Sequence, residues 1–214
     1  MYIVGIRAIP VVLLLNFLVG AVLTHQGINS LDFYGQTDKA PEFFIPGYVK
    51  YGGSLITYLI VAGRSGSAFA AELGSMKLSL EVDALRSMRI DPYATIVIPR
   101  ILALILFMPI LVTLAVMAGI AGGGFMAHTL IDFSYINYLS VIFETISFKV
   151  YFCTLLKSLF FALTIGFIGC FRGMSVHSHF QVLGLMTTQA VVDCIFWTIV
   201  LDGIFSTYFS FLGI

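Results

Sequence analysis

Few residues in this chain have the type and spacing to do chemistry. Gly63-Arg64-Ser65-Gly66 has the GxSG form of a nucleophilic serine, which needs a histidine within hydrogen-bond reach to act. His25 and His128 stand at the far ends of apolar runs, and His177 and His179 fall in a polar connection that meets Ser65 only if the serine faces it. An intramembrane serine hydrolase at Ser65 is therefore one alternative, and a purely structural membrane subunit is another. The preferred reading makes Gly63, Ser65, Gly66 and Ser67 small residues that let helices approach closely. Lys157, Asp193 and Asp202 interrupt apolar runs, where an ionisable group is costly. Lys157 is expected to snorkel toward the outer headgroups, and Asp202, followed by Gly203, to bond a neighbouring helix or line a polar cavity. Cys153, Cys170 and Cys194 lie in apolar runs without metal-ligand spacing, so neither a disulfide framework nor a metal site is expected.

The elements that position these residues are membrane helices. Of 214 residues, 59% are hydrophobic and 10% charged, and the mean hydropathy is +1.02; soluble domains carry roughly a quarter charged residues. A formal net charge of zero excludes the basic surplus that a nucleic-acid binder uses on phosphates. The pattern predicts an all-α integral membrane protein, one domain over 1–214, with spans at about 6–25, 49–71, 100–127, 150–171 and 183–211. The first run closes at His25, Gln26 and Gly27, and the polar, proline-containing stretch 26–47 reads as an external loop. Pro109 is expected to interrupt the third run, and Gly119 and Gly123 within it match the GxxxG helix-dimer motif. An external interfacial helix, with Tyr135, Tyr138, Phe143 and Phe148, is expected within 132–149.

Charge is concentrated between the second and third runs. Arg7, Arg64, Lys77, Arg86, Arg89, Arg100 and Arg172 flank one side of the spans; Lys39, Lys50 and Lys149 flank the other. That asymmetry places the N-terminus in the cytoplasm and makes 72–99 a cytoplasmic connection. Within it, Leu78, Val82 and Leu85 recur at helical spacing, Asp83 and Arg86 form an i,i+3 pair, and Asp91-Pro92 has the form of a helix start. The connection reads as a surface helix or as a docking element for a cytoplasmic partner.

Gly63-Arg64-Ser65-Gly66-Ser67-Ala68, Ala71-Glu72-Leu73-Gly74-Ser75-Met76, Glu81-Val82-Asp83-Ala84-Leu85, Met88-Arg89-Ile90-Asp91-Pro92 and Pro99-Arg100 follow one another in the order of the MlaE/YrbE family of ABC-transporter permeases, which this chain resembles. The resemblance implies a permease that pairs with a second copy, docks a cytoplasmic ATPase, and moves phospholipid between the inner membrane and an MCE-domain protein on the outer side. The membrane is then the bacterial inner membrane, or the plastid inner envelope. The implied ATPase contacts are Glu72, Leu78, Glu81, Asp83, Leu85, Arg86, Met88, Asp91 and Pro92; the candidate lipid path, read from the residues themselves, includes Lys50, Tyr51 and Asp202. The chain has no GxxxxGK[ST], so ATP and Mg are expected on the partner and no cofactor on this chain. It departs from the family pattern where Lys50-Tyr51 and Gly53-Ser54 replace an Arg-Glu pair and a Gly-Pro step, and where the first span begins without a preceding amphipathic helix.

The orientation is tested by single cysteines in a background without native ones. A thiol at Ser79 should react with an impermeant maleimide only from the cytoplasmic side, and one at Asp38 only from outside; the reverse pattern overturns the topology.

Overall fold

The computed structural model describes residues 8–176 and 180–211. Arg7, His177 and His179 lie outside the described residues. The helices are α1 (Ile9–Asp32), α2 (Ala40–Gly47), α3 (Gly53–Val61), α4 (Ser67–Leu78), α5 (Glu81–Ser87), α6 (Ile98–Ile131), α7 (Tyr135–Thr145), α8 (Phe148–Met174) and α9 (Phe180–Phe211). Three π turns, at Tyr48–Gly52, Ala62–Gly66 and Tyr93–Val97, join α2 to α3, α3 to α4, and lead into α6.

Among the described residues, four helices are long and apolar enough to cross a membrane: Ile9–Asp32, Tyr93–Ile131, Phe148–Met174 and Val182–Phe209. The remaining expected span is helical without a break from residue 40 to residue 78, but π turns divide it into short α pieces. Its buried positions explain the division. They recur in pairs every four residues: Gly53/Ser54, Thr57/Tyr58, Val61/Ala62, Ser65/Gly66, Phe69/Ala70 and Leu73/Gly74. An α-helix turns once in 3.6 residues, so a four-residue stripe drifts by about 40° at each repeat. A π turn takes in one extra residue and sets the stripe back by about 100°. The same four-residue rhythm appears in α1, which buries Val12, Asn16, Gly20, Thr24 and Ile28. It is the i±4 ridge that small-residue membrane packing uses.

Three expectations are corrected. α1 does not close at Gly27 but continues to Asp32, because an isolated glycine costs a helix only about 1 kcal/mol. Much of the expected loop is α2: Pro41 stands in its first turn, where no amide hydrogen is required, and Pro46 lies in its last turn, one residue before the helix gives way to the π turn. Pro109 does not interrupt α6, which runs through it for 34 residues. The expected interfacial helix is α7, entered after a left-handed residue at Asp132 with φ 49°.

Internal contacts divide the chain into two units. One contains Tyr58–Met108 and Ser158–Thr207, the other Ile9–Thr57 and Pro109–Lys157. In the second unit, glycines bring α1, α6 and the first π turn into backbone contact. A Cβ at Gly20 would overlap the backbone of Gly119, one at Gly119 the ring of Tyr48, and one at Gly122 the backbone of Phe17. The GxxxG glycines, Gly119 and Gly123, are thus occupied inside the chain rather than offered to a second copy. Tyr48 Oη donates to Asn16 Oδ1 at 2.8 Å, Asn16 Nδ2 donates to Val12 O at 2.9 Å, and Tyr138 Oη donates to Ile120 O at 3.0 Å. Burial holds the Tyr138 phenol above its ordinary pKa, so it remains a donor.

These contacts rank three substitutions. Tyr48→Phe removes a membrane hydrogen bond worth about 0.6 kcal/mol, whereas Gly119→Ala forces a side chain into an aromatic ring, at about 1–3 kcal/mol or more. Gly27→Ala meets nothing within 4 Å. Aggregation midpoints in detergent should fall in the order Gly27→Ala (unchanged), Tyr48→Phe, Gly119→Ala, and an unchanged midpoint for Gly119→Ala would refute the packing.

Candidate functional site

Two regions gather the residues singled out by sequence, one in each unit. In the first unit, α4 ends and α5 begins at Leu80, whose φ is 62°, and α5 ends at Arg89, whose φ is 59°. The Ile90 amide bonds Leu85 O at 3.0 Å and the Arg89 amide bonds Arg86 O at 3.0 Å, a closed C-terminal turn built without glycine. Asp91 Oδ1 accepts from the Tyr93 amide at 3.0 Å, and Asp91 O accepts from the Thr95 amide at 3.2 Å, so Asp91 caps the helical turn that Pro92 opens. Arg86 and Asp83 stand 3.5 Å apart, both well exposed, a geometry that contributes little to stability.

The apolar side of α5 divides in two. Val82 is fully buried against its own chain and Leu78 and Leu85 are half-buried, whereas Leu80, Met88, Ile90 and Tyr93 are exposed. Glu81, Asp83 and Arg86 also face outward. Glu72 does not stand free: Arg100 Nη2 lies 3.2 Å from Glu72 Oε2 and 3.7 Å from Met76 Sδ, which ties α4 to the start of α6. Other cations fasten helix ends. Lys77 Nζ donates to Met174 O at 2.6 Å, and Arg172 donates through Nε to Asp193 Oδ2 at 2.6 Å and through Nη1 to Gln189 at 3.2 Å. Asp193 is thereby a lock between α8 and α9.

The four small residues of the second π turn are placed differently from one another. Ser65 is 5% exposed. A Cβ at Gly66 would lie 2.9 Å from Cys194 Sγ, and one at Gly169 2.9 Å from Gly66 O, so this turn touches α8 and α9 through its backbone. Ser67 Oγ turns back to Gly63 O at 2.6 Å, and Gly63 has nothing within 4 Å of a Cβ. Among the described residues no histidine bonds Ser65, and His128 Nδ1 is paired with Phe133 O at 3.2 Å.

In the second unit, a groove of about 400 Å³ opens between α1 and α2, walled chiefly by Leu23, Gly27, Leu31, Phe43, Phe44 and Tyr48. Neither Gly27 nor Gly47, also at the wall, has an atom within 4 Å of a Cβ, so the space is left open by missing side chains. The size and apolar lining are those of a ligand pocket. Sequence reasoning assigned these residues to a span end and a loop; the signal that could have found them was Phe43-Phe44 beside two glycines that no turn needed. Nearby in sequence, Lys50 Nζ lies 4.9 Å from the Tyr51 ring centroid, and Lys157 Nζ lies 6.0 Å from the same ring. Lys157 is 1% exposed, which corrects the expectation that it snorkels to the headgroups: its ammonium is enclosed by protein, within cation–π range of Tyr51. Asp202, half-buried on α9, belongs to the first unit.

Membrane-length helices define a multi-pass membrane protein, which carries an apolar groove and a charged two-helix connection. Known proteins agree. The family model for Permease MlaE matches residues 1–208, and the chain belongs to the MlaE permease family of ABC transporters. It is 32% identical to a probable ABC transporter permease protein of Synechocystis sp., over 100% of this chain and 81% of that protein. A probable ABC transporter permease protein of Pyropia yezoensis is 29% identical over 98% of this chain and 80% of its own length. The intermembrane phospholipid transport system permease protein MlaE of Haemophilus influenzae is 28% identical over 95% and 78%.

The π turn separates packing from nucleophilic chemistry at Ser65. Ser65→Ala should shift the detergent midpoint little, by about 0.6 kcal/mol at most, while Ser65→Leu should collapse it. A fluorophosphonate probe should leave the wild type unlabelled, and stoichiometric labelling lost in Ser65→Ala would restore the hydrolase.

Proposed function

We propose that the chain is the membrane-crossing subunit of a phospholipid transporter, whose cargo places an acyl chain in the groove between α1 and α2. The groove carries this reading: a cleft of about 400 Å³ with a chiefly apolar wall suits a hydrocarbon chain and offers little to a polar solute. Lys50 and Tyr51 remain proposed polar stations for lipid in the second unit, where the enclosed Lys157 joins them, and Asp202 remains a proposed station in the first. The relative from Haemophilus influenzae, named for intermembrane phospholipid transport, supports the same cargo.

Energy comes from a partner, since the chain has no phosphate-cradling GxxxxGK[ST]. A cytoplasmic ABC ATPase carrying ATP and Mg docks on the connection 72–99. Leu80 and Met88, with Glu81, Asp83 and Arg86 around them, form the outward side of this element, and Asp91 and Pro92 fix its end. Leu78 and Leu85 support it from beneath, and Glu72 anchors its stem through Arg100. The remaining components are a second copy of the permease and an MCE-domain protein on the outer side. The chain crosses the inner membrane five times with its N-terminus in the cytoplasm.

The docking face is tested at Met88, which is 60% exposed and so can change without disturbing the core. Met88→Asp places a charge in the contact and should reduce recovery of the co-expressed ATPase by about tenfold or more, as loss of an interface anchor does. The permease itself should insert and elute normally. Undiminished recovery of the ATPase would move the docking site elsewhere.

A further inference from the structure

Arg64 is set apart from the other part-buried cations by having no partner among the described residues. Arg100 is paired with Glu72, Arg172 with Asp193, Lys77 with the Met174 carbonyl, and Lys50 and Lys157 flank the Tyr51 ring. Arg64 is likewise half-buried, yet its guanidinium makes no hydrogen bond or ion pair with any described residue. A guanidinium partly withdrawn from water and left unpaired gains from an anion supplied from outside these residues.

The surroundings indicate which anion. Arg64 lies in the π turn Ala62–Gly66, on the side opposite the buried pair Ser65/Gly66. Next to it Gly63 leaves open space, and one turn earlier on the same side stand Leu59 and Ile60, also half-covered. A planar fork of donors beside a gap, with an apolar strip leading to it, matches a phosphate attached to a hydrocarbon chain. We propose that Arg64 binds the phosphodiester of a phospholipid headgroup. The proposal rests on the reading of the chain as a lipid permease, and it names a specific headgroup contact for it.

Lipid retention by the isolated full-length permease tests it. The protein is placed in nanodiscs of phosphatidylglycerol and phosphatidylcholine, re-extracted, and its bound lipid counted by native mass spectrometry. Arg64→Gln should retain about tenfold less phospholipid, the loss expected for one charge-assisted contact, and Arg64→Lys should restore part of it. The exposed Lys149→Gln should match the wild type. Excess inorganic phosphate should leave the lipid in place, because its tail also contributes. Unchanged retention in Arg64→Gln overturns the site, and so does displacement of the lipid by inorganic phosphate, which would make the ligand a free anion. Dimer dissociation in Arg64→Gln, with retention per chain unchanged, would instead assign the anion to a carboxylate of the second copy. Should Arg64→Gln not fold, Arg64→Lys decides, since a point charge in place of the fork must still lower retention. No ATPase or outer partner is present in this assay. A failure of transport in the assembled system with retention intact would therefore count against the transporter reading and leave the Arg64 contact standing.

Discussion

The second unit depends on the ring of Tyr48 lying where Gly119 has no side chain. In lipid there is no hydrophobic gain from bringing helices together, so close packing and internal hydrogen bonds must do it. Tyr48 supplies both. Its ring fills the space over Gly119, and its hydroxyl reaches the side chain and carbonyl of Asn16 at 2.8 and 3.1 Å. Gly20 and Gly122 then bring α1 and α6 to backbone distance on either side. Because Tyr48 also walls the groove, the residue that closes the packing defines one face of the cavity. A substitution that loosened Tyr48 would lose the shape of the groove together with the stability of the unit.

Charge is handled by a different rule in the first unit. Nearly every part-buried cation there fastens one helix to another. Lys77 closes the end of α8, Arg172 joins α8 to α9, and Arg100 joins α4 to α6. These pairs span different helices and so fix their relative register, which exposed pairs within one helix, such as Asp83 with Arg86, do not. The contrast motivates the proposal for Arg64: Lys77, Arg100 and Arg172 each contact a protein oxygen, and the Arg64 guanidinium contacts none among the described residues.

The all-helical class, the charged connection, the Asp83–Arg86 pair and the Asp91 cap were legible in the sequence because each is local, carried by residues within four of one another. The family was legible because its motifs cluster in that same connection. The extent of α1 and the existence of α2 were not, because Gly27, Pro41 and Pro46 carry strong loop signals that packing overrides. The π turns left a trace that a search for 3.6-residue periodicity passes over: small residues at Gly53 and Thr57, and then at Ala62, Gly66, Ala70 and Gly74, keep a four-residue rhythm too long for a straight α-helix, with one five-residue step between Thr57 and Ala62. The burial of Lys157 was hidden for another reason. Whether a lysine near a span end reaches water depends on neighbours distant in sequence, here Tyr51, which no window around residue 157 contains.

Both ends of α5 are held by residues in the left-handed region, Leu80 and Arg89, at a cost of about 1–2 kcal/mol each relative to glycine. Glycine would remove the cost without losing a backbone hydrogen bond. Nor does burial of Leu80 offset it, since that side chain is 65% exposed. What both residues add is surface, one apolar and one cationic, at the two ends of a helix whose own outward residues are charged. Strain that does nothing for the fold of the isolated chain is sustained when the strained side chains serve a contact outside it. The backbone of this connection and the exposure of its side chains thus support the same proposal, a partner docked on α5, whose stem is tied to the start of α6 by Glu72 and Arg100.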